Sequence, residues 1–416
     1  MEKKLSNFNR FMSNFSTKLV GGFIPVIVYN YVETNKMQMA LLTLAIQYLL
    51  SFILDLILEK QLIKRPQLFL FLRLFPIIIY EVLLIFVAQY PLACVIGVGV
   101  AFSCSYTFKH IPKEVLFAYV NAPKERGTGT NLAQGKLVGQ MALIIGTLVG
   151  GVALDYLDMT LLVIISIALY FIGALPLMIY QFCHRKDENR NQEYSTMEHI
   201  SLKSTSRDKK KANTASKKLV KEYLKFYFLQ ESWNAMYVLL PLLMFTITGT
   251  FTTAAIASAL FDGLYGVGCY LFEKLDAKRD LTHLATCAGV LLGVSGISLA
   301  FVKNIILFYV IVAFMAICYS LIFFFSYHRM LMKSKIVGRN INCIINKINM
   351  YFVTTSFIVS FGIFLPIWSC FVVGGTMSIA GGLSIPYVEE KTRRILVDHI
   401  EDNEIEDNTS LFSRKG

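Results

Sequence analysis

The stretch that decides the fold class is QLFLFLRLFPIIIYEVLLIFVAQ, residues 67–89. A helix that crosses a bilayer needs about 20 mostly apolar residues, and this run reaches that length with two charged side chains inside it, Arg73 and Glu81. Similar runs recur along the chain between short polar segments. The composition agrees, because 55% of the residues are hydrophobic and 16% are charged, whereas soluble domains carry roughly 25% charged residues. The sequence therefore predicts an all-α membrane protein.

Twelve such runs are predicted to cross the membrane, in two blocks of six separated by a polar stretch. Their predicted bounds are residues 16–34, 38–58, 67–89, 91–109, 131–154, 160–182, 224–247, 250–272, 282–302, 305–327, 342–365 and 367–387. The polar stretch cannot build a core, so we interpret it as a mobile cytosolic linker with a short helix near KKLVKEY. Six spans, a linker and six spans form a parallel repeat of the kind that secondary transporters use. The predicted parts are an N-terminal bundle (1–183), the linker (184–222), a C-terminal bundle (223–388) and a solvated cytosolic tail (389–416).

The basic residues predict the orientation of the chain. With the N-terminus inside, 36 of the 40 Lys and Arg residues lie in cytosolic segments, and the two in outside loops are Lys36 and Lys303. Arg73 and Lys347 fall inside spans. Long loops count less in this rule, but leaving out the 12 basic residues of the linker still leaves 24 against 2. Both termini are therefore predicted to be cytosolic, and we expect the chain in the plasma (cell inner) membrane.

Three short segments carry a family resemblance. Ser51-Phe-Ile-Leu-Asp55 ends the second span, Ala122-Pro-Lys-Glu-Arg-Gly127 precedes the fifth, and Gly146-Thr-Leu-Val-Gly150-Gly151 lies within the fifth. They resemble segments of the major facilitator superfamily. Members of that family often carry G-x-L-x-D-R-x-G-R-R after the second span and a basic-then-glycine entry to the fifth, and exporters carry G-P-x-x-G-G within it. The resemblance implies two six-helix bundles that rock about a central cavity.

The chain resembles a divergent member of this family, since Glu59 and Thr147 stand where the signatures have other residues. In the family, the glycine seam of the fifth span is associated with antiport. Gly146, Gly150 and Gly151 therefore favour efflux. The alternative for these glycines is generic small-residue packing between helices.

Charges inside the predicted spans are the main candidate functional residues, because each costs about 2.5–3.5 kcal/mol at a helix centre on insertion scales. Glu81, Glu231 and Asp262 are candidate proton or substrate-charge sites, since burial disfavours the charged form of a carboxylate. The alternative is pairing with a neighbour for structure. Asp55 and Arg73 are candidate partners in a cytosolic gate, and the alternative for Arg73 is snorkelling to the interface.

Polar and aromatic side chains of the first, second and seventh spans are candidates for lining a central cavity, with an interfacial aromatic belt as the alternative. They are Asn30, Gln47, Trp233, Asn234 and Tyr237. Three lysines nearer the ends of spans, Lys18, Lys136 and Lys347, are interpreted as snorkelling.

The remaining patterns bear on the class of protein. The sequence contains no phosphate loop, no H-E-x-x-H helix and no G-x-S-x-G elbow, so it predicts neither an enzyme nor a bound metal or cofactor. The net charge of +12 is spread over many short loops, which argues against nucleic acid. We predict a monomeric secondary transporter for a small-molecule substrate, driven by protons or another coupling ion. The alternatives are a transport-inactive receptor, scaffold or partner subunit and, third, a membrane enzyme acting on lipid.

Overall fold

The computed structural model describes the backbone of residues 2–120, 128–183, 206–275, 281–336 and 340–413. All regular structure in these ranges is helical, which confirms the all-α prediction there. The helices are α1 (Glu2–Val20), α2 (Ile24–Tyr31), α3 (Lys36–Lys64), α4 (Pro66–Leu72), α5 (Leu74–Ile85), α6 (Pro91–Val120), α7 (Thr128–Tyr156), α8 (Met159–Cys183), α9 (Ser206–Gln230), α10 (Ser232–Thr248), α11 (Phe251–Leu275), α12 (Thr282–Leu299), α13 (Ile305–Ile336), α14 (Asn340–Phe364) and α15 (Trp368–Ser413). The predicted entry segment 122–127 and residues 184–205 of the predicted linker lie outside the described residues, as does the side chain of Lys136.

Eleven segments of the described chain are long and apolar enough to cross a membrane. They are Phe11–Tyr31, Lys36–Lys64, Pro66–Ile85, Pro91–Lys113, Gly139–Tyr156, Met159–Pro176, Phe251–Phe272, Thr282–Leu299, Ile305–Phe325, Ile345–Phe364 and Trp368–Asp398. Their outer faces carry many exposed Leu, Ile, Val and Phe side chains, which water would solvate poorly and lipid solvates well. The chain is therefore a multi-pass integral membrane protein.

The predicted seventh span, 224–247, is not one continuous helix. α9 ends at Gln230 and α10 begins at Ser232, with Glu231 between them at φ −72° and ψ −2°. The hydroxyl of Ser232 donates to the Leu229 carbonyl oxygen at 2.7 Å, a local bond of the kind that competes with regular helix. No candidate span covers α9 or α10, so the described chain contains eleven where twelve were predicted. The third span is also interrupted, at Arg73 between α4 and α5, but Pro66–Ile85 as a whole is long and apolar enough to cross.

Neither predicted boundary of the C-terminal bundle coincides with a helix end. α9 begins before residue 223, and α15 continues past residue 388. The two extensions pack together, with the ammonium of Lys391 3.0 Å from the carboxylate of Glu222. Apolar side chains on the same faces, such as Leu219 and Leu396, are buried. The beginning of the predicted tail is therefore helix packed against α9 and not a solvated segment.

For description, the helices are divided along the chain into α1–α8 and α9–α15, called here the N-terminal and C-terminal halves. In the N-terminal half α1 packs on α7 and α8, and α3 packs on α6. In the C-terminal half α12 packs on α15 and α13, and α11 packs on α10 and α13. The main contacts between the halves are made by α3 against α14 and by α7 against α11.

The glycines of helix α7 allow it to pack closely against helices of both halves. A Cβ atom at Gly146 would lie 2.6 Å from the backbone oxygen of Phe15, and one at Gly150 would overlap the backbone of Leu19. Both contacts place α7 directly against α1. A Cβ atom at Gly151 would overlap the side chain of Ala255. Small residues on α7 therefore allow close approach to α1 on one side and to α11 on the other.

The same two helices are also joined by a cap. The carboxylate of Asp155, at the end of α7, accepts hydrogen bonds from the backbone N–H groups of Phe251 at 2.9 Å and Thr252 at 2.8 Å. A helix leaves its first N–H groups unbonded, and an acidic side chain satisfies them. The N-terminus of α11 is thus capped by a residue of the other half.

Candidate functional site

An ion pair joins the two halves inside the membrane-spanning region. The ammonium of Lys18 on α1 lies 3.7 Å from the Oδ2 atom of Asp262 on α11. Lys18 also donates to the hydroxyl of Tyr237 on α10 at 3.2 Å, and that hydroxyl donates to Oδ1 of Asp262 at 2.8 Å. The carboxylate side chain is 7% exposed, so the cation compensates a nearly buried charge. Lys18 was interpreted as snorkelling, and the structure instead pairs it with a predicted coupling residue.

A second ion pair lies within the C-terminal half. The ammonium of Lys347 on α14 lies 3.6 Å from Oε1 of Glu231, and the side-chain amide of Asn234 donates to Oε2 of the same carboxylate. The ammonium also lies over two rings, 4.3 Å from the centroid of Phe323 and 5.6 Å from that of Tyr227. Such contacts stabilise a cation that is partly removed from water. Lys347, like Lys18, pairs with a predicted acid where snorkelling was expected.

A group of contacting aromatic rings connects the two ion pairs. Trp233 and Phe261 are nearly parallel, with centroids 5.8 Å apart, and Phe261 lies 4.9 Å from Tyr237. From there Tyr319 and Tyr265 lead to Phe323 beside Lys347. These six rings are called the aromatic cluster. Ring faces of this kind accept planar groups as well as cations.

The third predicted acid, Glu81, is buried in the N-terminal half. Its Oε1 atom accepts a hydrogen bond from the hydroxyl of Ser166 on α8 at 2.8 Å. Ser166 is also 3.1 Å from the backbone oxygen of Ser16, and the Ser16 hydroxyl donates to the Ser166 carbonyl oxygen at 2.8 Å. Oε2 of Glu81 has no hydrogen-bond partner among the described residues. Glu81 is therefore held by one hydroxyl, with no ion pair to it in the described part of the chain.

Arg73 is likewise surrounded by hydroxyl groups. Its guanidinium donates to Ser105 at 3.2 Å, to Ser13 at 3.2 Å and to Thr17 at 3.1 Å. The side chain is 4% exposed. Asp55 is fully buried, and neither of its carboxylate oxygens has a hydrogen-bond partner among the described residues. The structure does not bring Asp55 and Arg73 together as an ion pair, and it places Arg73 inside the bundle, where snorkelling to the interface does not occur.

The predicted cavity residues have different surroundings. Trp233 and Asn234 are buried, and Tyr237 contacts Lys18 and Asp262 as described above. Gln47 is fully buried, and its amide has no hydrogen-bond partner among the described residues. Asn30 is exposed near the end of α2. Trp233, Asn234 and Tyr237 thus adjoin the ion pairs, whereas Asn30 is exposed away from them.

The sequence-based interpretation missed the partner role of the two lysines. A usable signal was present, because acids inside spans require compensation and the interior lysines were the available cations. The arrangement can exchange protons and charges at buried carboxylates, and it can bind a group that replaces either member of an ion pair. Among the described residues, no group of three or more His, Cys, Asp or Glu side chains is placed to hold a metal ion.

The chain was compared with known proteins at the levels of sequence and structure. No protein-family model and no curated protein sequence matches it. Its structure matches the crystal structure of a D-xylose-proton symporter with a TM-score of 0.60 and 10% identity, covering 92% of this chain and 96% of that one. It also matches the crystal structure of a POT family transporter in complex with 5-aminolevulinic acid, with a TM-score of 0.59, 14% identity, and coverage of 94% and 96%.

These matches extend over nearly all of the helices described above. They establish that the chain shares the fold of these two proteins, a fold that agrees with the one implied by the resemblance in sequence. The two matched proteins are described as a proton symporter and a transporter.

Proposed function

We propose that this protein is a secondary active transporter that moves a small solute by alternating access and is coupled to protons. The observation that carries the proposal is the ion pair between Lys18 and Asp262, which joins the two halves. When the halves separate at this point, both charges lose their partner. An unpaired charge in a low-dielectric interior costs several kcal/mol, on the order of the cost of breaking a buried ion pair.

A proton removes that cost on the acid side. Once protonated, Asp262 is neutral and still accepts the hydrogen bond from Tyr237. The free-energy cost of separating the halves is then smaller, so proton binding and the change of access are linked. The direct coupling residue in this proposal is Asp262, and Glu231 is a second acid in the same half.

Glu81 is suited to carry a proton because its neighbours accommodate both of its protonation states. When Glu81 is charged, the hydroxyl of Ser166 donates to it, as at the observed 2.8 Å. When Glu81 is protonated, it can donate to Ser166, whose own proton then turns to the Ser16 carbonyl oxygen 3.1 Å away. One hydroxyl rotation therefore satisfies either state.

The test is a transport assay in proteoliposomes with a pH-sensitive dye inside and a panel of small solutes outside. We expect the natural protein to move protons in response to at least one solute. Glu81→Gln, Glu231→Gln and Asp262→Asn should each lower this coupled flux, with Asp262→Asn lowering it at least tenfold. The matched control is Glu33→Gln, because Glu33 is an exposed acid.

Full coupled flux in all three variants would refute proton coupling through these acids. A folded natural protein that moves no solute of the panel would favour the transport-inactive receptor. The efflux prediction is tested in the same vesicles by reversing the gradient. Net solute exit against an entering proton supports antiport, and cotransport in one direction contradicts it.

The finer features of the topology belong to the same proposal. We infer that the broken helix α9–α10 also crosses the membrane, which would give twelve crossings in a six-plus-six arrangement. Both termini would be cytosolic and the protein a monomer in the plasma membrane. The excess of basic residues on the predicted cytosolic side supports this orientation. This orientation is tested by introducing a single cysteine at residue 36 or 303 and labelling it from outside intact cells.

A further inference from the structure

Each of the two ion pairs beside the aromatic cluster carries one charge of each sign. At its Tyr237 end lie one cation, Lys18, and one carboxylate, Asp262. At its Phe323 end, Glu231 and Lys347 form a pair within the C-terminal half. A ligand with a net positive or negative charge would leave one of these buried groups without compensation, which is costly inside a membrane. The balance therefore favours a ligand with one charge of each sign.

The pair that joins the halves is open to replacement. The distance from Lys18 Nζ to Asp262 Oδ2 is 3.7 Å, longer than the 2.7–3.2 Å typical of an N–H···O hydrogen bond. Oδ2 has no hydrogen-bond partner among the described residues. A ligand ammonium could bind this free oxygen while Tyr237 keeps its bond to Oδ1. A ligand carboxylate could bind the ammonium of Lys18, which is 21% exposed.

In the described part of the chain, a ring beside Tyr237 carries an unused hydrogen-bond donor. Trp233 is 6% exposed, and its indole N–H has no acceptor among the described residues. A buried donor without a partner is unfavourable unless a ligand or water supplies an acceptor. Its ring is stacked with Phe261 at an angle of 6°. Trp233 also stacks on Tyr319, so these rings pack on one another, and the indole N–H is the unused donor at this end of the cluster among the described residues.

We propose that the site between the halves binds a zwitterion of amino-acid type. Its ammonium binds Asp262 and its carboxylate binds Lys18. This inference rests on the proposed transport function, since it assigns a substrate class to the same inter-half site. Without ligand, Lys18 and Asp262 compensate each other and join the halves. The ligand supplies a new partner to each of them at once, so neither charge is left uncompensated.

The protein contains its own reporter for this binding. Trp233 and Trp368 are its two tryptophans, and Trp368 lies at the start of α15, 46% exposed and distant in sequence from the ion pairs. The variant Trp368→Phe therefore reports fluorescence from Trp233 alone. Three probes share a phenyl ring and differ in charge: L-phenylalanine is a zwitterion, phenethylamine a cation and 3-phenylpropionate an anion.

In detergent without a gradient, we expect L-phenylalanine to change the Trp233 fluorescence saturably, and the cation and anion to bind at least tenfold more weakly. Two further substitutions in the Trp368→Phe background should switch the preference. Lys18→Gln removes the carboxylate partner and should make phenethylamine the tighter probe. Asp262→Asn removes the ammonium partner and should make 3-phenylpropionate the tighter probe. If the pair had only a structural role, each substitution would weaken the binding of all three probes alike.

Equal or tighter binding of a singly charged probe to the parent, or no saturable response to L-phenylalanine, overturns the inference. Size-exclusion profiles and thermal unfolding confirm that each variant is folded before binding is measured. Because binding is measured in detergent without a gradient, it does not require coupled transport. Zwitterion binding without coupled transport would refute the proposed function and leave the binding inference standing. Coupled transport of other solutes without zwitterion binding would refute the binding inference and leave the proposed function standing.

Discussion

In the N-terminal half, the buried guanidinium of Arg73 contacts three hydroxyl oxygens and the buried carboxylate of Glu81 accepts from another. In the C-terminal half, the carboxylates of Glu231 and Asp262 lie beside lysine ammonium groups. Both solutions satisfy a charge away from water. They differ in how the stabilisation is divided, because several neutral hydroxyls each contribute a small part, whereas a single opposite charge contributes most of it.

The difference has a functional consequence. A hydroxyl shell tolerates a change of protonation, since each hydroxyl can donate or accept. Protonation of the acid in an ion pair instead breaks the pair, because the remaining charge is left uncompensated. The hydroxyl contacts of Glu81 therefore suit a change of protonation in place, whereas the inter-half pair suits opening or replacement of a partner.

The largest expected effect is on the pair inside the C-terminal half. Lys347→Met leaves the buried carboxylate of Glu231 without its cation, and we expect a loss of about 3–5 kcal/mol in the free energy of unfolding. The double variant Glu231→Leu with Lys347→Met removes both charges and should recover most of that loss. Unfolding in mixed micelles measures both values. A single variant less than about 1 kcal/mol below the parent would mean that the pair is not the main stabilising contact of this carboxylate.

A smaller effect is expected at the hydroxyl that serves Glu81. Ser166→Ala removes the donor to Oε1, and an unsatisfied buried acceptor costs about 1–3 kcal/mol. The control is Ser298→Ala, since the Ser298 hydroxyl donates to Val294 of its own helix and should cost little. The same unfolding measurement compares them. If the two variants are equally stable, the contact between Ser166 and Glu81 does not stabilise the fold.

The smallest effect is expected in the shell of Arg73. Ser105→Ala should cost about 1 kcal/mol, the net value of one ordinary hydrogen bond, because Ser13 and Thr17 continue to accept from the guanidinium. Adding Ser13→Ala and Thr17→Val should cost more than the sum of the single changes, since the guanidinium then has no hydroxyl left. Strictly additive losses would contradict a shared shell. A loss at Ser105 as large as that of Lys347→Met would remove the contrast between the halves.

The sequence alone was informative about elements whose signal is local. The apolar runs predicted the spanning helices, and all eleven candidate spans of the described chain are recognised from length and hydropathy alone. The first span runs through a 3-10 turn at Gly21–Phe23, yet its apolar run was still visible. The short motifs implied a fold that the structural matches then established.

Local signals failed where several preferences competed. The helix break at Glu231 lies in a predicted span, and hydropathy averages over such a break without detecting it. The helical start of the tail was interpreted as solvated because its charges dominate the composition. Its burial depends on α9, which contacts it from a position far away in the chain.

The sequence by itself determined that this chain crosses the membrane many times, which of its charges are embedded in spans, and the side on which basic residues accumulate. These follow from composition and length, which are properties of single segments. Only the tertiary structure decided that Lys18 pairs with Asp262, that Lys347 pairs with Glu231, and that Arg73 lies among hydroxyls. The physical reason is that a partner depends on the rotation and packing of a second helix, and no stretch of sequence specifies that by its own pattern.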